Sequence, residues 1–444
     1  MKIKLSEHFT YGKLIRFVLP SVAMMIFTSI YGVVDGFFVS NFAGKTPFAA
    51  VNLIMPVLII LGTIGFMFGT GGTAIVAKTY GEGNKEKANR YFSLFVYTAF
   101  AVAVVLAIVG ICLVRPIARL LKAEGELLEN CVLYAQIVLI ALPFYVLQIM
   151  FQSFYVAAEK PKLGLAVTIA SGVTNMVLDA LLVGLLPAEA KLAGAAIATA
   201  ASQSVGGIIP LVYFLRKNNS VLRLGKTKFE KRMILKACAN GSSEFMSNIS
   251  MSLVGMLYNF QLMKFAGENG ISAYGVMMYV SMIFSAVFIG YSVGLAPIVG
   301  YHDGAANYDE LKSLLRKSLI AIGVSAVCMV AFAELLAMPL GKIFVGYDEE
   351  LLAMTVHGFR IFGLSFGFMG FGIFASGFFT ALNDGLTSAL ISFLRTLVFQ
   401  CAAILVLPEL WELNGVWISV VVAEFMSVVL GTIFLIAKRK KYHY

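Results

Sequence analysis

The sequence predicts an all-α integral membrane protein with twelve transmembrane helices, arranged as two parallel six-helix lobes. Three observations lead to this prediction. Of the 444 residues, 59% are hydrophobic and only 13% are charged, whereas average soluble chains carry about 25% charged residues. Apolar runs long enough to span a bilayer recur along the whole chain. The second half of the chain also repeats the landmarks of the first half.

The membrane spans are predicted from apolar runs of about 20 residues or more, the length that a helix needs to cross the hydrocarbon core. Short polar loops separate these runs. We expect spans at residues 14–41, 50–78, 92–114, 131–158, 163–187, 192–215, 237–265, 271–300, 317–338, 351–381, 386–407 and 415–437.

The distribution of basic residues predicts the orientation of these spans. With both termini in the cytoplasm, 25 of the 34 lysines and arginines lie at the inner face, and Arg360 and Arg395 lie inside spans. Seven lie at the outer face: Lys45, Arg115, Arg119, Lys122, Lys191, Lys264 and Lys342. This asymmetry follows the positive-inside rule and predicts a multi-pass protein of the inner (plasma) membrane. It also explains the net charge of +10 without a nucleic-acid partner.

The N-terminal arm leads directly into a full-length span, so we expect no cleaved secretory signal. The cysteines are odd in number and scattered, which predicts neither a disulfide framework nor a metal-binding motif. They are Cys112, Cys131, Cys238, Cys328 and Cys401. The sequence has only four histidines and no HExxH motif. We therefore expect neither an enzyme nor a resident cofactor other than a coupling ion.

An internal repeat relates the two halves of the chain. At an offset of 223 residues, FAG at 42–44 matches FAG at 265–267, and at an offset of 221 residues GLAVTIAS at 164–171 matches GLTSALIS at 385–392. Gly71 and Gly294 match within spans, and loop residues agree in the same register: Gly81 with Gly304, Asn84 with Asn307 and Pro116 with Pro339. Each half has an even number of spans, so the repeats are parallel, as in some secondary transporters. We expect an N-terminal lobe at 1–215, a cytoplasmic linker at 216–236 and a C-terminal lobe at 237–444.

Acidic residues inside the spans are the main functional candidates. A carboxylate such as Asp35, in VVDGFF, costs at least roughly 2.5 kcal/mol at the bilayer centre, so it is expected to have a function or a partner. Asn175 and Asp179 are four residues apart and share a helix face. Together with Thr199 they offer enough oxygen ligands for Na⁺, and the same cluster suits a proton. The alternative is that these residues only join helices by hydrogen bonds.

The second half lacks this pair of acids. Asp35 corresponds to Tyr258, Asn175 to Thr396 and Asp179 to Gln400. Glu244 lies early in the seventh span, where it is a candidate carboxylate for substrate or ion, or an acid that only caps a helix start. Glu334 is expected at the membrane interface. Glu424 is expected to be buried and to pair with Arg395 or Arg360, between which the sequence does not choose.

Methionine and aromatic side chains suit a cavity for varied flat cations, because methionine is adaptable and aromatic faces attract positive charge. Most of these residues are expected to pack against lipid and neighbouring helices. The candidates for a substrate cavity lie in the first and eighth spans and are Met24, Met25, Phe27, Met277, Met278, Tyr279 and Met282.

Taken together, these patterns resemble the multidrug and toxic compound extrusion (MATE) family. The resemblance covers the whole chain and is carried by GVVDGFFV in the first span, YGEGNKEKA in the second loop, N-x-x-x-D in the fifth span and GAAIAT in the sixth. It implies a V-shaped pair of lobes and a coupling-ion site at Asp35, Asn175, Asp179 and Thr199. The acidic residue of the NorM-like branch matches Glu244. The further Asp of that branch has no counterpart, because 351–381 contains no acid.

The function expected from the residues and the resemblance is secondary active efflux of cationic drugs in exchange for Na⁺ or H⁺, by a monomer that alternates access. The alternative is a flippase for lipid-linked oligosaccharides, which would need a more basic cavity. Two arginines against five acids in the spans favour cationic cargo. A channel is disfavoured by the two-lobe repeat.

Overall fold

The computed structural model describes residues 3–346 and 348–444. The first half of the chain forms seven α-helices: α1 Tyr11–Phe38, α2 Lys45–Gly81, α3 Lys85–Leu120, α4 Gly125–Ile140, α5 Leu142–Ala157, α6 Pro161–Leu178 and α7 Lys191–Leu215. The second half forms α8 Lys231–Asn240, α9 Ser242–Gly304, α10 Tyr308–Val345, α11 Glu349–Gly363, α12 Phe366–Ala381, α13 Gly385–Phe393 and α14 Gln400–Tyr442. One-turn π-helical segments follow α1, α6 and α13 at Val39–Ala43, Asp179–Val183 and Leu394–Phe399.

These helices make twelve spans, as predicted. The fourth span consists of α4 and α5, which meet at a bend of 57°, and the tenth consists of α11 and α12, which meet at 45°. α9 contains two spans, joined where Gly267 adopts a positive φ of 59°. α14 likewise changes direction at Trp411 and Glu412. The all-α, two-lobe membrane fold expected from the sequence is confirmed.

The repeat in the sequence is also a repeat in local structure. Asn84 precedes α3, and its side chain accepts a hydrogen bond from the backbone N–H of Lys87. Asn307 precedes α10 and accepts in the same way from Glu310. Asparagine is favoured at this position because its oxygen satisfies a free N–H of the first helical turn. The two matching asparagines therefore start equivalent helices in the two lobes.

The lobes meet through closely spaced glycines related by the same repeat. A Cβ atom on Gly81 would lie 2.0 Å from the carbonyl oxygen of Tyr301, and one on Gly304 would lie 2.1 Å from that of Lys78. Lys78 also forms an ion pair of 2.8 Å with Asp303. Since 81 matches 304 and 78 matches 301, the interface is close to two-fold symmetric. Only residues without a side chain permit this approach of the two backbones.

Gly241 lies deeper in the same interface, where a Cβ would be 2.0 Å from the carbonyl oxygen of Met67. We expect Gly241→Ala to lower the melting temperature in detergent, because overpacking costs typically about 1–3 kcal/mol. The matched control is Gly255→Ala, where no neighbouring atom lies within 4 Å of the added Cβ. Equal melting temperatures for the two variants, measured by thermal unfolding, would contradict this account of the interface.

The N-terminal arm joins the lobes at the same end of the molecule. The backbone N–H of Leu5 donates to Glu159 at 3.0 Å, in the first lobe. His8 contacts Glu310 at 2.5 Å, and the N–H of Phe9 donates to Glu310 at 2.8 Å, in the second lobe. The side chains of Leu5 and Phe9 are fully buried. The arm therefore fastens the end that carries both termini.

The chain between the lobes is held against α3. Leu222 and Leu224 are buried in the core of the first lobe. The N–H of Gly225 donates to the Ser93 hydroxyl at 3.0 Å. The predicted linker at 216–236 ends inside helix α8, which begins at Lys231. These contacts fix the linker to the first lobe.

The two lobes form a V, and their closest contacts lie toward the end that carries the termini. Met24 and Met25 of α1 pack with Ala286 of α9 in a small separate cluster. The interface glycines lie between this level and the end that carries the termini. Beyond it, α1 continues to Asp35, which is partly exposed. The two methionines consequently form the floor of the cleft, and Asp35 lies above them.

Candidate coupling-ion site and cleft

Three helices bring four oxygen-bearing side chains together in the first lobe. Asp35 lies in the last turn of α1, Asn175 lies near the end of α6, and Thr199 lies in α7. Asp179 begins the π-helical segment after α6, and its N–H donates to the carbonyl oxygens of Asn175 and Met176. π-Helical turns occur frequently at functional sites because they redirect side chains within a helix. Here the turn starts at the carboxylate itself.

The side chains of Asp179, Asn175 and Thr199 are close enough to act on the Asp35 carboxylate. The close packing of α1 on α6 permits this, because Gly172 leaves room for the ring of Phe27; a Cβ there would lie 2.4 Å from the ring. Asp179 is completely buried and Asn175 nearly so. The four residues predicted from sequence as the coupling-ion site therefore form one cluster.

The cluster has more acceptors than donors. Five buried oxygens make no hydrogen bond to any of the residues described: Oδ1 and Oδ2 of Asp179, Oδ1 of Asp35, Oδ1 of Asn175 and the Thr199 hydroxyl. Leaving such groups unpaired is costly, and more so when they are charged. Within the residues described, no group of three or more His, Cys, Asp or Glu side chains is placed to hold a metal ion. Two carboxylates, an amide and a hydroxyl are hard oxygen ligands, which suit an alkali cation or a proton better than a transition metal.

Two further polar residues beside the cluster were not predicted as site residues. Tyr134 of α4 lies next to Thr199, and its hydroxyl is close enough to Asp35 and Asp179 for their charge to act on it. Gln203 follows Thr199 by one helical turn. Both line a cavity of about 40 Å³ together with Thr199 and Tyr145. The four-residue spacing of Thr199 and Gln203 was a usable signal, whereas nothing local in the sequence marks Tyr134.

A buried hydrogen-bond network holds α5, α6 and α7 around the site. The Gln148 amide donates to the Ser171 hydroxyl at 3.1 Å. Ser171 donates to the carbonyl oxygen of Ser202 at 2.8 Å, and the Ser202 hydroxyl donates to the carbonyl oxygen of Ser171 at 2.9 Å. Reciprocal bonds of this kind fix the distance between two helices. The network therefore holds Asn175 and Thr199 at a constant separation.

In the second lobe the corresponding positions are already paired. The Tyr258 hydroxyl donates to Oε1 of Gln400 at 2.9 Å, so the counterparts of Asp35 and Asp179 bond to each other. The ring of Tyr258 stacks on Tyr274 at 5.2 Å with nearly parallel planes. Thr396, the counterpart of Asn175, donates to the carbonyl oxygen of Ser392.

The structure decides the partner of Glu424. Arg395 donates to both of its carboxylate oxygens, at 2.9 Å from Nε and 3.0 Å from an amino nitrogen. The Glu424 and Arg395 side chains are only 4% and 15% exposed. Arg360 lies 3.7 Å from Glu334 instead, and both of those side chains are largely exposed, in keeping with an interfacial position.

Glu244 stands apart from these pairs. It lies in the first turn of α9, close to Gly241 and the interlobe contact. Its side chain is partly exposed and makes no ion pair with any of the residues described. Arg395 influences it through charge alone. Glu244 is therefore an unpaired carboxylate near the floor of the cleft.

The residues predicted to line a substrate cavity are dispersed. Met24 and Met25 are buried in the floor of the cleft. Met277 is fully buried against Gly358, inside the second lobe. Tyr279 stacks on Phe344, and Met278, Tyr279 and Met282 are each more than a third exposed. Phe27 packs on Gly172 in the first lobe. Their role in a substrate cavity stays a prediction.

Comparison with known proteins identifies the family. The MatE family model matches residues 20–181 and 245–403, one segment in each lobe and together most of the chain. The chain belongs to the MatE family. The resemblance drawn from GVVDGFFV, the N-x-x-x-D motif and the repeat is thereby confirmed.

Similar proteins match the chain over nearly its full length. The multidrug export protein MepA of Staphylococcus haemolyticus is 23% identical over 437 residues, covering 98% of this chain and 95% of that protein. MepA of Staphylococcus aureus strain MSSA476 is 24% identical over 93% of the chain and 91% of that protein. A MATE protein crystallised with MaL6 superposes with a TM-score of 0.92 at 21% identity, over 98% of both chains. A multidrug-resistance MATE transporter in an outward-facing conformation gives a TM-score of 0.90 at 21% identity, again over 98% of both chains. These solved structures support the two-lobe fold.

Proposed function

We propose that this MatE-family membrane protein is a secondary active antiporter that exports organic cations in exchange for Na⁺ or H⁺. The observation that carries the proposal is the buried first-lobe cluster, in which Asp35 and Asp179 lie together with unpaired oxygens. Burial of two adjacent carboxylates without donors is unfavourable unless a positive guest is present. The names of the relatives, multidrug export proteins, support the export of small molecules.

The charge of the cleft supports cationic cargo. Asp35, Asp179 and Glu244 have no basic partner among the residues described, whereas the charge of Arg395 is neutralised by Glu424. A carrier of phosphate-bearing lipids would need free positive charge in the same place. In the second lobe the ring of Tyr274, which stacks on the buried Tyr258, is partly exposed, and aromatic faces attract flat cations.

The exchange follows from competition for the same negative charge. With the cleft open to one side, a coupling cation that binds Asp35 and Asp179 cancels the charge that attracts the organic cation. Release of the cargo is then favoured, and the reverse occurs when the cleft opens to the other side. A ligand shifts such an equilibrium only through its different affinities for the two states. Each charge moved across the membrane contributes about 2.3 kcal/mol per 100 mV.

The proposed placement is the inner (plasma) membrane with both termini in the cytoplasm, and the protein acts as a monomer. The interlobe contacts and the basic linker lie at the end that carries the termini. If that end is cytoplasmic, the V-shaped cleft opens outward. This orientation agrees with the positive-inside rule.

The direct test is transport by proteoliposomes under separately imposed sodium and pH gradients. We expect ethidium to move against its gradient when one of the two ions flows in the opposite direction. Equilibrated liposomes, with no ion gradient, serve as the control. Absence of ethidium transport under both gradients, in protein shown to be folded, would contradict the proposal. Translocation of a fluorescent lipid under the same conditions would favour the flippase instead.

A further inference from the structure

We propose that Arg395 is a resident cation, which balances the buried acid of the second lobe as an exchangeable cation balances the buried acids of the first. The second lobe then binds no coupling ion, and exchange is confined to the cluster around Asp35 and Asp179. This inference rests on the proposed function and adds to it which lobe does the coupling and why.

The internal repeat defines the comparison between the lobes. Gln203, beside the first-lobe cluster, corresponds to Glu424, and Thr174, beside Asn175, corresponds to Arg395. The first lobe thus has two acids in its cluster, Asp35 and Asp179, and the neutral Gln203 beside them. In the second lobe the corresponding cluster positions are neutral, and the residue beside them is the acid Glu424. The second lobe has both an arginine and an acid at positions that are neutral in the first lobe. The charge of the arginine balances that acid.

The two lobes also differ in whether their buried carboxylate oxygens accept hydrogen bonds. In the first lobe, Asp179 has two buried carboxylate oxygens that accept no hydrogen bond from residues 3–346 or 348–444 whose side chains are described. In the second lobe, both oxygens of Glu424 accept from Arg395, and Tyr258 bonds to Gln400. A bidentate arginine and carboxylate pair satisfies charge and geometry at once. Arg395 therefore already neutralises Glu424, and the carboxylate does not require a cation from solution.

The space around the arginine is shaped to fit it. A Cβ atom on Gly372 of α12 would lie 2.9 Å from Cδ of Arg395 and 2.4 Å from the hydroxyl of Ser427. The absence of a side chain at this position therefore leaves room for the arginine between α12 and α14. Because the guanidinium remains charged at any physiological pH, its charge is not lost during a transport cycle.

Glu244 is affected by the same arrangement. The positive charge of Arg395 acts on the Glu244 carboxylate. Since both carboxylate oxygens of Glu424 accept from Arg395, the arginine forms no ion pair with Glu244 among the residues described. The second lobe then offers this carboxylate to the cargo, while the coupling ion binds in the first lobe.

The experiment counts ions bound by purified protein, using radioactive sodium for Na⁺ and a pH dye for proton uptake. Glu244→Gln is present in every sample, so that this carboxylate adds no signal. In the background Asp35→Asn with Asp179→Asn we expect all specific ion binding to disappear. Retention of an ion in this background would overturn the inference. If the protein that carries Glu244→Gln alone, with Asp35 and Asp179 intact, binds neither ion, the result would instead count against the proposed function.

Removal of the resident charge provides the complementary test. Adding Arg395→Gln to the first-lobe background is expected to restore ion binding, because Glu424 then lacks its partner, and adding Glu424→Gln should abolish it again. Arg395→Lys keeps the charge and is expected to restore nothing. A folded Arg395→Gln protein that binds no ion would overturn the inference. If that variant does not fold, the first-lobe background alone decides the question.

Discussion

Replacing Asp179 by asparagine is expected to abolish cation-coupled efflux and, at the same time, to raise the thermal stability of the protein. The carboxylate is fully buried, and neither oxygen accepts a hydrogen bond from the part of the chain that the structure describes. Unsatisfied buried groups cost about 1–3 kcal/mol each, and more when charged, so a neutral amide should relieve part of this cost. When two ligands are coupled through a protein, binding of one typically changes the affinity for the other by about 5–150-fold. We therefore expect efflux to fall at least about tenfold.

The opposite signs of the two effects separate an ion site from a structural contact. If Asp179 only joined helices, Asp179→Asn would lower both transport and the melting temperature. Efflux of ethidium from drug-sensitive cells and thermal unfolding of the purified protein provide the two measurements. Glu334→Gln is the matched control, since Glu334 is also an acid within a span but is 42% exposed beside Arg360. Neither property should change in the control.

The effect of added sodium or of a lower pH on the melting temperature provides a further measurement on the Asp179→Asn variant. A ligand that binds only the folded protein raises its stability in proportion to the logarithm of its concentration. The melting temperature of the unaltered protein should therefore rise with the coupling ion, and that of Asp179→Asn should not. A rise of equal size in both proteins would show that the ion acts elsewhere.

Breaking the Arg395 and Glu424 pair from one side is expected to give the largest loss of stability among the changes considered. Removing one partner of a buried ion pair typically costs about 3–5 kcal/mol, because the other charge is left without compensation. Glu424→Gln should therefore unfold at a markedly lower temperature. Replacing both residues by methionine should recover most of the loss, since apolar substitutes for a buried pair are often neutral.

The control for this prediction is another bidentate arginine and glutamate pair, which lies at the surface. Arg115 donates to both oxygens of Glu129 at 2.7 and 2.8 Å, but the two side chains are 44% and 61% exposed. Glu129→Gln should cost no more than about 1 kcal/mol, the usual limit for an exposed pair. Similar losses for Glu424→Gln and Glu129→Gln, measured by thermal unfolding in detergent, would show that burial does not set the strength of the pair.

Several features of the fold followed from the sequence because they depend on local properties. The spans are predicted by hydrophobic length, the orientation by the positions of lysine and arginine, and the repeat by glycine and asparagine in register. Asn84 and Asn307 show why such prediction works, since each caps its own helix through a contact three residues away. The four-residue spacing of Asn175 and Asp179 likewise placed both on one face of a helix.

The sequence by itself determined the number of spans, the two-lobe plan and the acids that needed a partner, because the cost of polar groups in lipid acts on each segment separately. Only the tertiary structure decided which partner each acid has: Arg395 for Glu424, Arg360 for Glu334 and, within the described residues, no basic partner for Asp179. It also placed Tyr134 beside Thr199. Contacts between helices depend on how the helices rotate and cross, and that is a property of the packed molecule as a whole.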